Sequence, residues 1–380
     1  MTLVFVAAAL AGSVFKSVDA ETTLGMGGTW ARVHAVDGGY WFFQVAGGDG
    51  WVEDIGEDLT GYNDRDRVQL SHVANIQDAQ FERCPDGGWL LLGSYTVDAF
   101  DDSAKAWRFD ADFNELWSVT AADRDSKHKH NDMVPVCTST NEGAIFAGTG
   151  GGGGSAQFLP LEGGVVGTPV SLSLSAEGAS MAEYGDAGGS IVVDTNGTSA
   201  SGVVLHFYDK DWKPLDDVSV ALGGGNVKWP ERIQAMDDGW LLTYLVNSSN
   251  TPLGDVWLAA LDADFKLVDQ VEVHAGGEAD NRPWFARHGT TVAVSYDRDV
   301  QPRITLVNLV DGADGGDDGI PDTAGGGDDT SGGGGGGDSA GDTAGMVGGE
   351  KECLCASTSA IPLVGAIGLS ALGVARRRRR

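Results

Sequence analysis

Asp86-Gly-Gly-Trp-Leu-Leu-Leu-Gly93 is a tight turn running into an apolar strand, and the same pattern returns along the chain. It reads DGGYWFF from Asp37, NEGAIFAG from Asn141, AGGSIVV from Ala187, DDGWLLTY from Asp237 and RHGTTVAV from Arg287. The last turn glycines, Gly39, Gly88, Gly143, Gly189, Gly239 and Gly289, stand 49, 55, 46, 50 and 50 residues apart. So regular a period, in a chain without helical periodicity, marks one structural unit repeated six times.

Each unit has the same internal order. A short strand precedes the turn: Trp30-Ala-Arg-Val-His-Ala-Val36 and Pro230-Glu-Arg-Ile-Gln-Ala-Met236 match at Arg32/Arg232, Val33/Ile233 and Ala35/Ala235. A second strand follows the turn. Then come a loop, a third strand, a tight Asp-x-Asp-aromatic turn (Asp110 to Phe113, Asp209 to Trp212, Asp262 to Phe265) and a fourth strand. Aromatic and β-branched runs bounded by Gly and Asp are strand signals. Four antiparallel strands per unit, six times, predict an all-β fold, a six-bladed β-propeller of about 50-residue four-stranded repeats, over residues 21–310.

The units resemble the loose propeller repeats of large secreted bacterial proteins, in which an Asp-Gly-Gly turn precedes an apolar strand and a later hairpin reads Asp-x-Asp-x-x-Leu. No named subfamily is matched: there is no Trp-Asp blade ending, no kelch glycine pair after the apolar strand and no sialidase Ser-x-Asp-x-Gly-x-Thr-Trp box. The resemblance implies architecture, and architecture does not carry function. The sixth unit lacks a fourth strand of its own. Residues near Glu21 and Leu24, reaching back toward Val18, are expected to pair with the strand over residues 304–309, which would seal the ring and remove a sheet edge.

Charge narrows the partners. Fifty-five acidic residues against 25 basic give a net charge of -30, divided into -25 over residues 1–310, -9 over 311–349 and +4 over 350–380. No nucleic-acid partner is expected, because phosphate binding needs a basic face. Residues 311–349, with 17 Gly, nine Asp and no Lys or Arg, read as a disordered, self-repelling acidic linker.

The two ends read as targeting segments. Residues 361–375 (IPLVGAIGLSALGVA) are uncharged, and with the small-residue lead-in from Ala356 they reach the roughly 20 residues of a transmembrane helix. Five arginines, Arg376 to Arg380, follow and would hold that end in the cytoplasm. The order of acidic Gly-rich spacer, Cys353-Leu-Cys355, short apolar span and Arg run resembles the MYXO-CTERM sorting tail of myxobacteria and related delta-proteobacterial lineages. That resemblance implies a sorting tail over residues 350–380, a membrane protease that reads it, and processing and a lipoprotein-like anchor at Cys353 or Cys355. It also implies display at the cell surface, associated with the outer membrane of a Gram-negative bacterium. An ordinary single-pass anchor is the alternative. Residues 1–20 carry an apolar stretch from Leu3 to Leu10 and a small-residue site at Val18-Asp19-Ala20, as a secretory signal peptide does, but without a basic leader region.

In a propeller the innermost strands ring a central channel, so equivalent residues of all blades converge there. Arg32, His34, His128, His130, Asp132, Trp229, Glu231, Arg232 and Arg282 are the candidate ligand-binding residues of its mouth. They mix both signs of charge, imidazoles and an aromatic platform, the composition of a ligand funnel. Asp78, Gln80 and Glu82 are polar residues of the second unit's entry segment. His128, His130 and Asp132 share one face if extended, a donor set suited to zinc, against the plainer reading of a polar loop. Calcium is the weaker reading of the Asp turns and of residues 314–322, so no cofactor is expected, with zinc or calcium as alternatives.

Cys84 and Cys137 occupy nearly the same slot of adjacent units and would pair in an oxidising compartment if their Cα atoms lie within about 7 Å; two buried thiols are the alternative. Gly337-x-Ser339-x-Gly341 and Gly148-x-Gly150-x-x-Gly153 lack the strand, turn and helix that their catalytic and phosphate-binding counterparts require. The reading is an exported, surface-anchored binding or interaction module for a glycan, a small anionic ligand or a protein partner. One alternative is a carbohydrate-active hydrolase or lyase using Glu231, Glu82 or Asp132. Another is a structural surface protein with no ligand site.

Overall fold

The computed structural model describes residues 13–310 apart from 25–27, 58, 60–66, 71–72, 74–75, 99–100, 123–132, 147–155, 175–179, 186, 196–200, 224–225, 248–253, 276–279 and 299–300. Two short strands, β1 (Phe15–Val18) and β2 (Thr22–Thr23), precede the first unit. Blade one contains β3 (Thr29–Val36), β4 (Gly39–Ala46), β5 (Asp49–Asp54) and β6 (Arg67–Gln69). Blade two contains β7 (Ile76–Arg83), β8 (Trp89–Asp98), β9 (Asp101–Phe109) and β10 (Glu115–Ala122). Blade three is β11 (Met133–Cys137), β12 (Glu142–Phe146), β13 (Gln157–Pro160) and β14 (Val170–Ser171), and blade four is β15 (Ser180–Tyr184), β16 (Gly189–Thr195), β17 (Gly202–Tyr208) and β18 (Val218–Ala221). Blade five is β19 (Asn226–Met236), β20 (Gly239–Asn247), β21 (Asp255–Asp262) and β22 (Leu267–His274); blade six is β23 (Asp280–His288), β24 (Thr291–Arg298) and β25 (Gln301–Leu309). Each blade is an antiparallel meander paired in sequence order, and the only helix among the described residues is the 3-10 turn Glu162–Gly164.

Alternation along each strand gives a blade two apolar faces, and each face is buried against a neighbour. Six apolar clusters result, one in every seam. Phe43 and Trp107 lie between blades one and two, Ala106 and Phe146 between two and three, Val136 and Tyr208 between three and four. Phe207 and Tyr244 lie between four and five, Leu258 and Phe285 between five and six, and Ala31 and Ala293 between six and one. Six seams for six blades is a closed ring, the β-propeller expected from the repeat.

Closure uses more of the N-terminus than expected. β1 pairs antiparallel with β25, Phe15 opposite Leu309 and Val18 opposite Val307, and β2 continues along the same strand with Thr22 opposite Ile304. The anticipated stretch around Glu21 therefore supplies only two paired residues, and the outer edge of blade six comes mostly from Phe15–Val18, inside the segment read as a leader.

Five of the six repeat glycines lie where a neighbouring chain passes too close for a side chain. A methyl group on Gly88, Gly143, Gly189 or Gly239 would overlap the third-strand carbonyl oxygen of Phe109, Leu159, Tyr208 or Leu261, and one on Gly39 would overlap the backbone of Gly56. Gly289 differs. It lies within the turn, two residues ahead of the start of β24, with φ +56 and open space around it, so it serves left-handed backbone and not close approach.

The Asp-x-Asp-aromatic turns are capped by their first Asp. Asp110 Oδ1 accepts the backbone N–H of Asp112 and Asn114, Asp209 Oδ1 those of Asp211 and Lys213, and Asp262 Oδ1 those of Asp264 and Lys266. The aromatic residue then sits in the left-handed region: φ is 63 at Phe113, 61 at Trp212 and 60 at Phe265. Such a conformation is costly for a bulky residue, and packing offsets it. Phe113 meets Trp41 of blade one, Trp212 stacks on Phe158 of blade three at 4.1 Å, and Phe265 meets Phe207 of blade four. In each case the ring plugs into the preceding blade.

Candidate functional site: the axial layer

The innermost strands are β3, β7, β11, β15, β19 and β23. Arg32 pairs across its hairpin with Phe43, Arg232 with Thr243 and Trp284 with Ser295, each partner four residues into the second strand, so these three side chains belong to one level of the ring. The Trp284 indole takes both guanidinium groups, with Arg32 Cζ 4.8 Å and Arg232 Cζ 4.5 Å from its ring centre. Desolvated cation–π contacts of this kind are worth about 2 kcal/mol each.

Arg32 is fully buried. Its Nε donates to Gln80 Oε1 at 2.9 Å, its Nη1 to the carbonyl oxygens of Ala31 and Arg282 at 3.0 Å each, and its Nη2 lies 3.9 Å from Glu231 Oε2. Burial drives its pKa down to about 10, with Glu231 and Asp297 opposing, so it stays charged at neutral pH. Arg232 reaches blade two, where Nη1 and Nη2 each donate to one oxygen of Glu82, at 2.5 and 3.0 Å. Arg282 lies with its Cζ 3.6 Å from the ring centre of Trp30 and its Nη1 3.1 Å from Asp297 Oδ2. Asp297 also accepts the backbone N–H groups of Trp30 and Ala31, which ties blade six to blade one.

His34 lies deeper than the mouth. It is buried with its ring edge-on to Phe81, Trp89 and Trp284, at 5.7, 5.3 and 6.0 Å between ring centres. Burial, reinforced by the nearby Arg232, holds its pKa well below the usual imidazole value, so it is neutral. Arg32, His34, Glu231, Arg232 and Arg282 are thus brought together around the axis, with Glu231, Arg232 and Arg282 keeping 14, 12 and 24% of their side chains exposed. Trp229 lies in β19. His128, His130, Asp132, Cys353 and Cys355 fall outside the described residues, as do residues 314–322 and the two glycine motifs. Among the described residues no three His, Cys, Asp or Glu side chains are arranged to hold a metal ion, and no helix is long and apolar enough to cross a membrane.

Trp284 and Asp297 are missing from the residues singled out by sequence. Counting seven back from the repeat glycine lands on Arg32, Arg232 and Arg282, but Gly289 is displaced into its turn, so the position equivalent to Arg32 and Arg232 is Trp284. The pairing of Trp284 with Ser295 is the signal that corrects the alignment.

At the opposite end of the inner strands, Cys84 and Cys137 form a disulfide between blades two and three, with Cα atoms 5.1 Å apart. Beside it Arg108, almost fully buried, donates from Nη2 to Asp86 and from Nε to Glu142 at 2.8 Å, clamping the same two blades.

No family model and no curated protein matches the chain. Solved structures do. A subtype N10 neuraminidase-like protein of A/little yellow-shouldered bat/Guatemala/060/2010 is 12% identical, covering 78% of this chain and 100% of that one with a TM-score of 0.46. The SapL1 lectin, solved in complex with alpha methyl fucoside, is 9% identical over 72% of this chain and 89% of its own, at 0.45. A protein of unknown function from Bacteroides caccae is 12% identical over 63% and 80%, at 0.41.

Proposed function

We propose that the chain is an exported propeller, held at the cell surface by its C-terminal tail, that binds an anionic small molecule or a carboxylated glycan at the mouth of its channel. The observation that carries this reading is the layer in which one indole, Trp284, takes two guanidinium groups, with the partly exposed Glu231 and Arg282 beside it. Charged arginines on an aromatic floor suit a carboxylate, which forked N–H donors hold in a fixed orientation. Glu231 would take hydroxyl groups of the same ligand.

The test is a screen of carboxylated glycans and anionic metabolites against the full chain, repeated with Arg282→Gln and Glu231→Gln. Binding that falls at least about tenfold, the loss of one good charged contact, supports the reading. A ligand held equally by both variants, or none at all, overturns it. Surface attachment is tested separately with Cys353→Ala/Cys355→Ala, which should leave the protein unprocessed or released; normal display of that variant counts against the tail.

A second reading, a structural surface protein, draws on one specific observation. Arg32, Arg232 and Arg282 each meet a polar group of the protein itself, Gln80, Glu82 and Asp297, from another strand. The same screen separates the two.

A further inference from the structure

We infer that residues 13–24 are a constitutive part of the folded protein, and that any leader is removed ahead of Ser13 and not after Ala20. The site Val18-Asp19-Ala20 spans the end of β1 and the link to β2, so hydrolysis of the Ala20–Glu21 amide would detach β1, which closes the ring, from the rest of the chain.

Two separate devices hold this segment. At its start, Asp269 Oδ2 on the outer strand of blade five accepts the hydroxyl of Ser13 at 2.9 Å and the backbone N–H groups of Val14 and Phe15 at 2.8 and 3.2 Å. The Phe15 ring is buried in the seam between blades five and six with Val307 and Leu309. Beyond β1, the backbone N–H of Asp19 reaches the carbonyl of Leu306 at 2.9 Å, and Asn308 Nδ2 donates to Ser17 Oγ and Asp19 Oδ1.

The second device is Glu21, the residue that a cut after Ala20 would make terminal. Its carboxylate accepts the Tyr296 hydroxyl at 2.8 Å and lies 3.2 Å from Arg298 Nη1, 3.5 Å from His274 Nδ1 and 3.6 Å from Arg303 Nε. Cleavage there would place a new ammonium group on the residue that two guanidinium groups and an imidazole surround. Asp19 and Ala20 are themselves exposed, so it is the anchoring on either side of them, Phe15 in a core seam and Glu21 in its cluster of cations, that argues against removal of the segment.

The experiment is to purify the protein from its producing cells and from the medium, and to determine the N-terminal peptide of each pool by mass spectrometry. A first residue at or ahead of Ser13 in both is the expected result. A product beginning at Glu21, or anywhere after Ser13, overturns the inference. Where the product is found bears on export alone: a purely internal product beginning ahead of Ser13 would defeat the surface reading and leave this one standing. In a second measurement, trypsin should cut the native full chain after Lys16 about tenfold more slowly than Asp269→Ala, because cleavage follows the opening of β1. Equal rates would overturn the inference.

Discussion

Arg232 of blade five and Glu82 of blade two, 150 positions apart in the chain, meet across the ring in a two-point ion pair, Nη1 and Nη2 each donating to one carboxylate oxygen at 2.5 and 3.0 Å. The two blades share no seam, so this pair ties together parts of the ring that apolar packing does not join. It also makes Arg232 a poor candidate for a neutral surface substitution.

Glu82→Gln and Arg232→Ala should each destabilise the protein by about 2 to 4 kcal/mol, since each leaves a mostly buried charge without its partner. The double replacement Arg232→Ala/Glu82→Gln should cost less than the two single losses added together, because no buried charge is then left without its partner. Urea unfolding of the four chains as a double-mutant cycle measures the coupling.

The repeat glycines separate into two kinds, and alanine substitution should show it. Gly289→Ala places a side chain in open space at positive φ and should cost about 1 kcal/mol, the conformational penalty alone. Gly239→Ala drives a methyl group into the carbonyl oxygen of Leu261 and should cost several times as much, or prevent folding. Comparable melting temperatures for the two variants would contradict the structural distinction.

That distinction also marks how far the residues alone could lead. The blade number, four-strand grammar, Asp-capped turns and a Cys84–Cys137 pairing all depend on local patterns or on period, which a sequence displays directly. The displaced Gly289 hid the equivalence of Trp284 with Arg32 and Arg232, because a turn glycine and a close-approach glycine look alike as letters. The Arg232–Glu82 pair was unreadable for another reason: nothing local selects one carboxylate among 55 acidic residues as the partner of an arginine half a ring away. The pairing of Phe15–Val18 with β25 is hidden for a third reason: four residues reading FKSV carry no local strand pattern, and only their register against Leu309 and Val307 reveals the strand.

Acid should loosen the ring at two identifiable points. Burial pushes the Asp269 carboxyl up, but the N–H groups of Phe15 and Val14 and the Ser13 hydroxyl outweigh it and leave the pKa below the ordinary value. Asp86 is likewise lowered, burial being outweighed chiefly by its hydrogen bond from Arg108. A carboxyl depressed in the folded state adds stability above its unfolded pKa, about 3.9, and that contribution is lost as pH falls through the lower folded value. Melting temperature should therefore drop below about pH 4, with a shallower acid limb in Asp269→Asn and Asp86→Asn. An unchanged slope in both variants would show that neither carboxylate matters.

Reduction should release a long constraint. The disulfide closes a loop with a sequence separation of 53, for which chain entropy gives roughly 4 kcal/mol. With the Arg108 clamp still joining blades two and three, reduced protein and Cys84→Ser/Cys137→Ser should stay folded but melt well below the oxidised chain. Calorimetry with and without reductant reads the difference.

Phe113, Trp212 and Phe265 all point the same way around the circle, each carried by one blade and received by the blade before it. Adhesion between neighbours is thus polar, like overlapping shingles. A fragment beginning at blade four would expose Trp212 with nothing to receive it, and the complementary fragment would end in a vacant socket lined by Phe158 and Asn141. The two halves of a chain split between Ser171 and Ser180 should seek each other out and reassemble in one order only, so that the turn aromatics set the handedness of assembly as well as its strength.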